Sequence, residues 1–106
     1  MVVKNERKRY LLVEFFGQIP DKRDLVYALR NNVATLGGQL ALAQSSLHVV
    51  DIMGSFAIIR ATHLSRDLVE ASIQLLKYNN TIPVVRSVSG TIAKTRKFHQ
   101  SLISQS

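Results

Sequence analysis

The sequence predicts a mixed α/β sandwich: one antiparallel four-stranded sheet with helices on one face, in the order strand, helix, strand, strand, helix, strand. Three observations point there. First, 106 residues with 46% hydrophobic content suit a single domain spanning 1–106 with one modest core. Second, four runs of branched and aromatic residues are bounded by Gly, Pro or Asn. Third, apolar residues at helical spacing separate the first run from the second and the third from the fourth.

Residues 10–16 form a strand that stops at Gly17, and Ile19-Pro20 is a turn. Asp21 caps the helix that follows, and Asp24 places negative charge at its positive end. Leu25, Leu29, Val33, Leu36 and Leu40 then make one apolar stripe. Gly37-Gly38 ends or breaks this helix, with a short second turn of helix predicted for 39–46. Residues 47–53 and 56–61 are strands joined by a Gly54-Ser55 hairpin turn. Ser65 caps a second helix with Leu68, Val69, Ile73 and Leu76 on its apolar side, closed by Lys77 and Asn79-Asn80. Residues 82–88 are the last strand; Pro83 lacks a backbone donor and belongs at a strand start or a sheet edge. Residues 1–7 are expected as a flexible basic N-terminus, and 98–106 as a short helix or frayed tail. This order is the ferredoxin-like βαββαβ arrangement, α+β in class. It leaves the second face of the sheet free for a ligand, RNA or another protein.

Charge is the strongest compositional signal. Fourteen Lys and Arg face seven Asp and Glu, giving +7 and a pI near 10.3. Such an excess attracts a polyanion, because neutralising phosphates releases condensed counterions. All the acidic residues lie at or before Glu70, whereas 71–106 hold Lys77, Arg86, Lys94, Arg96 and Lys97. Lys4, Arg7, Lys8 and Arg9 form a second cluster, relieved only by Glu6. Residues 31–50 carry no Asp, Glu, Lys or Arg. That stretch reads either as a protein interface using Leu36, Leu40, Leu42 and Leu47, or as core plus turn. No apolar run reaches the ~18 residues of a membrane span. The N-terminus lacks the apolar stretch of a secretory signal, and the lack of cysteine excludes disulfides and thiolate metal sites, so a cytosolic setting is expected.

No constellation supports catalysis. His48, His63 and His99 fall on a strand, a loop and the tail. His48 and Asp51, three apart on a strand, should point to opposite faces. Glu14 and Asp51 can share a face, but a solvated or ion-paired carboxylate accounts for each. Nucleophile-elbow and zinc-protease motifs are absent, as is a phosphate-cradling glycine loop. The aromatic motif of base-stacking RNA-recognition domains is missing too; Tyr10 and Phe16 are candidates for stacking but also for core or interface. Phosphate and shape recognition are therefore the expectation. The segment 86–97 favours it: Gly90 lets backbone approach a phosphate, Ser89 and Thr91 offer hydroxyls, and Arg86, Lys94, Arg96 and Lys97 supply charge. The same residues also read as a strand end with a turn glycine and a solvated basic tail.

At these residues the sequence resembles a known family, the small ribonuclease P subunits of the Pop-five and Rpp-fourteen group, called ribonuclease P protein component 2 in archaea. The similarity rests on Lys8-Arg9-Tyr10-Leu11-Leu12-Val13-Glu14, Leu25-x-x-Ala28-Leu29-Arg30 and Leu36-Gly37-Gly38. It continues through Leu47-His48-Val49-Val50, Ala57-Ile58-Ile59-Arg60 and, most specifically, Val88-Ser89-Gly90-Thr91-Ile92 before the basic residues. It runs from about Lys8 to Phe98. The resemblance implies a subunit that assists a catalytic RNA in removing the leader from precursor tRNA and has no catalytic residue of its own. Magnesium is then held by the RNA, and the protein binds no cofactor or metal. Partners implied are the ribonuclease P RNA, precursor tRNA, the TIM-barrel protein component 3 and other ribonuclease P proteins; two pairs with component 3 can associate. The RNA-binding residues expected from charge and resemblance together are Lys8, Arg9, Arg60, Arg86, Ser89, Gly90, Thr91, Lys94, Arg96 and Lys97. Arg60 is the exception in that it is also a candidate for a structural ion pair. The short tail favours an archaeal, cytoplasmic protein; a eukaryotic one would be nuclear or nucleolar.

Three rivals share parts of this pattern. An acylphosphatase-like enzyme would need an arginine-bearing phosphate loop after the first strand, and Gly17-Gln18-Ile19-Pro20 has no arginine. A small-molecule-sensing domain need not be basic. A general RNA-binding or ribosomal protein would share the charge but not the ordered matches.

Overall fold

The computed structural model describes residues 7–76 and 80–104. Its elements are β1 (Lys8–Phe16), α1 (Lys22–Ser45), β2 (His48–Met53), β3 (Phe56–Thr62), a single 3-10 turn (His63–Ser65), α2 (Arg66–Gln74), β4 (Ile82–Ser89) and α3 (Ile92–Ser104). The strands make one antiparallel sheet in the order β2-β3-β1-β4, the expected ferredoxin-like topology. Lys77 and Asn79, expected to close α2, and residues 1–6 of the expected flexible N-terminus lie outside the described residues.

The pleat sorts side chains between two cores. Leu11, Val13 and Phe15 of β1, Ala57, Ile59 and Ala61 of β3, and Val49 of β2 meet Leu25, Leu29, Val33, Leu42, Val69 and Ile73 from the helices. Each large aliphatic side chain fully buried here contributes about 1.5–3 kcal/mol. Asp21 caps α1 as expected, its carboxylate accepting from the Asp24 backbone N–H at 2.8 Å. The helix continues through a kink at Gly38 (φ 90, ψ 171), a conformation that favours glycine. The kink changes the phase of the buried face, so Leu40 beyond it falls out of the stripe while Leu42 and Ser45 turn inward; Leu36, before the kink, is exposed as well. Ser65 begins α2 without a side-chain cap, because its hydroxyl takes a hydrogen bond from Thr62 instead.

The second face is not free, contrary to expectation. The chain after Gly90 is neither a strand extension nor a loose tail; it forms α3, a longer helix than the one expected from 98 onward. Ile92 and Leu102 pack on Leu12, Phe56 and Ile58, and His99 meets Phe56 edge-on with ring centroids 4.8 Å apart. Alternation on β1 and β3 does predict Leu12 and Ile58 as inward on this face. What covers them was not legible, because the helical phase of 92–104 is weak beside its basic residues.

Two bulges alter the strand parity. Val49 pairs with Ile59 and Asp51 with Ile58, leaving Val50 as the extra residue. His48 and Asp51 therefore share the α3 face instead of opposing one another. On β4, Ser87 pairs with Leu12 and Val85 with Val13, so Arg86 is the extra residue there. Pro83 sits near the start of β4, which is an edge strand, as a residue without a donor requires.

Candidate nucleic-acid interface

Strand register assembles one end of the sheet from residues far apart in sequence. His48 pairs with Arg60, Arg60 with Tyr10, and Tyr10 with Ser89, one row across all four strands. Residues two apart on a strand share a face, so the row projects on the side of Leu12 and Ile58, where α3 lies. Lys8 occupies that same side of β1. Arg9 bends across the edge, its guanidinium donating to the Lys8 carbonyl at 3.1 Å and passing close to Gly90. The helix α3 starts at this end and leads away, reaching Phe56 at the opposite end of β3 through His99.

The β4–α3 junction explains its own sequence. Thr91 is the N-cap residue: its hydroxyl accepts from the Lys94 N–H at 3.2 Å, and its carbonyl accepts from the Thr95 N–H at 3.3 Å. Thr95, fully buried, hydrogen-bonds the Thr91 carbonyl and the Ser89 hydroxyl. Ser89 also reaches the Thr91 carbonyl at 2.9 Å. The expectation that Ser89 and Thr91 present hydroxyls to a phosphate is thus modified. Ser89 is occupied by the junction, and Thr91 spends an acceptor on the helix.

The ten residues expected to bind RNA separate into three sets. Lys8, Arg9, Arg60, Ser89, Gly90, Thr91 and Lys94 gather at the uncovered end of the sheet. Arg86 is paired with Glu14, and Arg96 with Asp51 at 3.3 Å. Both pairs are partly exposed, so each contributes little to stability, about 0–1 kcal/mol. Each nevertheless cancels a positive charge locally. Lys97 is exposed on α3, two positions on from the inward-facing Thr95. Arg60 forms no ion pair among the described residues; its Nε is shielded and without a hydrogen-bond partner there. His48 was missed as a site residue, and Tyr10 was weighed for stacking without being placed beside Arg60. The signal for both was the register, which needs the fold.

Of the residues expected at a protein interface, Leu36 and Leu40 are exposed (46% and 71%), consistent with that use. Leu42 is buried in the main core and is corrected to a structural residue, whereas Leu47 is half-buried against that core. No group of three or more His, Cys, Asp or Glu that would hold a metal occurs among the described residues. No helix there is long and apolar enough to cross a membrane.

The comparisons with known proteins agree with this geometry. A family model for Rpp14/Pop5 matches residues 9–100. The chain belongs to the Rpp14/Pop5 family. It is accordingly a protein subunit of a ribonuclease P-type ribonucleoprotein, non-catalytic by itself. Comparison with curated protein sequences finds no match. A chain in the cryo-EM structure of yeast Ribonuclease MRP superposes with a TM-score of 0.64 at 11% identity, covering 98% of this chain and 94% of that chain. At that identity the likeness speaks to the fold. It includes the full span through α3, so the third helix is matched along with the sandwich.

Proposed function

We propose that this Rpp14/Pop5 subunit supports the RNA of ribonuclease P during maturation of precursor tRNA by screening phosphate repulsion at the Lys8–Arg60–Lys94 end of the sheet. One observation carries the reading: the two carboxylates on the α3 face, Glu14 and Asp51, are neutralised by Arg86 and Arg96, away from that end. The cations there have no carboxylate partner among the described residues, and a phosphate backbone fills the role. Hydrolysis then belongs to magnesium ions held by the RNA, with the protein contributing field and shape.

The exposed Leu36 and Leu40 are the docking site expected for the TIM-barrel protein component 3, and two such pairs would associate around the RNA. A cytoplasmic, archaeal setting suits the composition. The test is reconstitution: with the RNA and component 3 present, adding this chain should lower the salt or magnesium needed for leader removal. Cleavage with the same magnesium dependence with and without the chain defeats the proposal.

A further inference from the structure

We infer that the transverse row His48–Arg60–Tyr10–Ser89 is a binding site for an unpaired nucleotide of the RNA, with its phosphate on Arg60 and its base against Tyr10 or His48. This rests on the RNA-binding reading above and assigns a ligand class to part of that surface.

The argument begins with Arg60. Its side chain leaves the α3 face of β3 in the row between Tyr10 on one neighbouring strand and His48 on the other. The residue is half-buried, and its Nε has neither solvent nor a hydrogen-bond partner among the described residues. A charged group kept half-buried without partners is costly. Elsewhere on this face the problem is solved internally, since Arg86 holds Glu14 and Arg96 holds Asp51. Among the described residues no such partner is supplied for Arg60, so its terminal nitrogens are left for an external anion. A phosphodiester suits them because two of its oxygens match the fork of the two terminal nitrogens, the shielded Nε lying out of a ligand's reach.

The neighbours decide between a bare phosphate and a nucleotide. Adjacent strands lie about 4.8 Å apart, so the row offers Tyr10 and His48 each one strand away from Arg60. Both are planar rings, and unstacked bases stack on such rings and on the arginine plane itself. His48 is exposed and Tyr10 is half-buried against Leu12. Lys8, on the same face beyond Tyr10, adds charge for a following phosphate. A paired base has its faces occupied within the duplex, so the site selects single-stranded RNA, a loop or a bulge.

The test uses the full chain and two probes: a single-stranded oligoribonucleotide carrying one fluorescent aminopurine, and a hairpin stem with the same number of phosphates. Tighter binding of the single strand by about tenfold, with aminopurine quenching, is expected for one stacked base. Arg60→Lys keeps the charge and loses the fork; it should remove most of that preference while leaving the salt slope nearly unchanged. Tyr10→Leu together with His48→Ala should abolish the quenching, whereas Tyr10→Phe should retain it. Thermal unfolding of each variant establishes that it is folded. Folded variants that bind and quench like the wild type overturn the nucleotide site while leaving the phosphate reading intact. Failure of the wild type to bind either probe at low salt overturns both.

Discussion

The division of the cations into free and neutralised sets makes a quantitative prediction about salt. Among the described residues Lys8, Arg9, Arg60 and Lys94 stand at the interface end without an ion pair, while Arg86 and Arg96 are held by Glu14 and Asp51. Each phosphate contact contributes a slope of about −0.9 in log K against log salt on a duplex. Four contacts give about −3.6, so a fourfold rise in salt should weaken binding to structured RNA by about 150-fold. The paired variant Arg9→Ala with Lys94→Ala should flatten the slope to about −1.8. Removing the ion pairs as units, Arg86→Gln with Glu14→Gln and Arg96→Gln with Asp51→Asn, changes no net charge and should leave the slope where it was. Fluorescence anisotropy across a salt titration reads all of these directly. If the ion-pair variants flatten the slope as much as the Arg9 and Lys94 variant, the free-cation reasoning is wrong and the α3 flank is the true interface.

Further predictions concern the scaffold and the partner. Leu36→Ser with Leu40→Ser should leave the thermal midpoint nearly unchanged and weaken association with component 3 in a pull-down, since both side chains are exposed. Leu42→Ala, by contrast, should destabilise by about 2–5 kcal/mol in urea unfolding, because it opens a cavity in the main core. Thr91→Ala removes the α3 cap and should cost about 1 kcal/mol, seen as faster amide exchange in the first turn of α3. Gly17→Ala should be worse than Gly38→Ala. Both glycines have positive φ, but a methyl group at Gly17 runs into the Asn80 carbonyl, whereas at Gly38 it meets open space. Chemical denaturation of the two variants side by side tests that order.

The fold was largely legible from short-range signals. The alternation at 10–16 and 56–61, the Asp21 cap and the Gly54-Ser55 turn each reflect a preference satisfied within a few residues. The candidate site was legible only as an inventory of cations. That Arg86 and Arg96 are neutralised depends on Glu14 and Asp51 being brought within reach across 72 and 45 residues of chain. The cap at Thr91 was present in the sequence as a threonine three residues before Lys94, yet without the helix it read equally as a phosphate ligand. Leu40 continued the helical spacing of the stripe and still left the core, because the Gly38 kink shifts the phase ahead of it.

By itself the sequence determined the order of the six sandwich elements, the main core, the acid-free last third and, through ordered matches, the family. Those properties depend on local backbone preference, on side-chain periodicity and on summed charge, all of which are written along the chain. Only the tertiary structure decided that α3 closes the second face, that His48 and Asp51 share it, and that Arg60 stands in the row between Tyr10 and His48 without a counter-charge among the described residues. The physical reason is that a single extra residue, Val50 or Arg86, resets which face a strand presents. Cross-strand neighbours are then set by register, which no local stretch of sequence encodes.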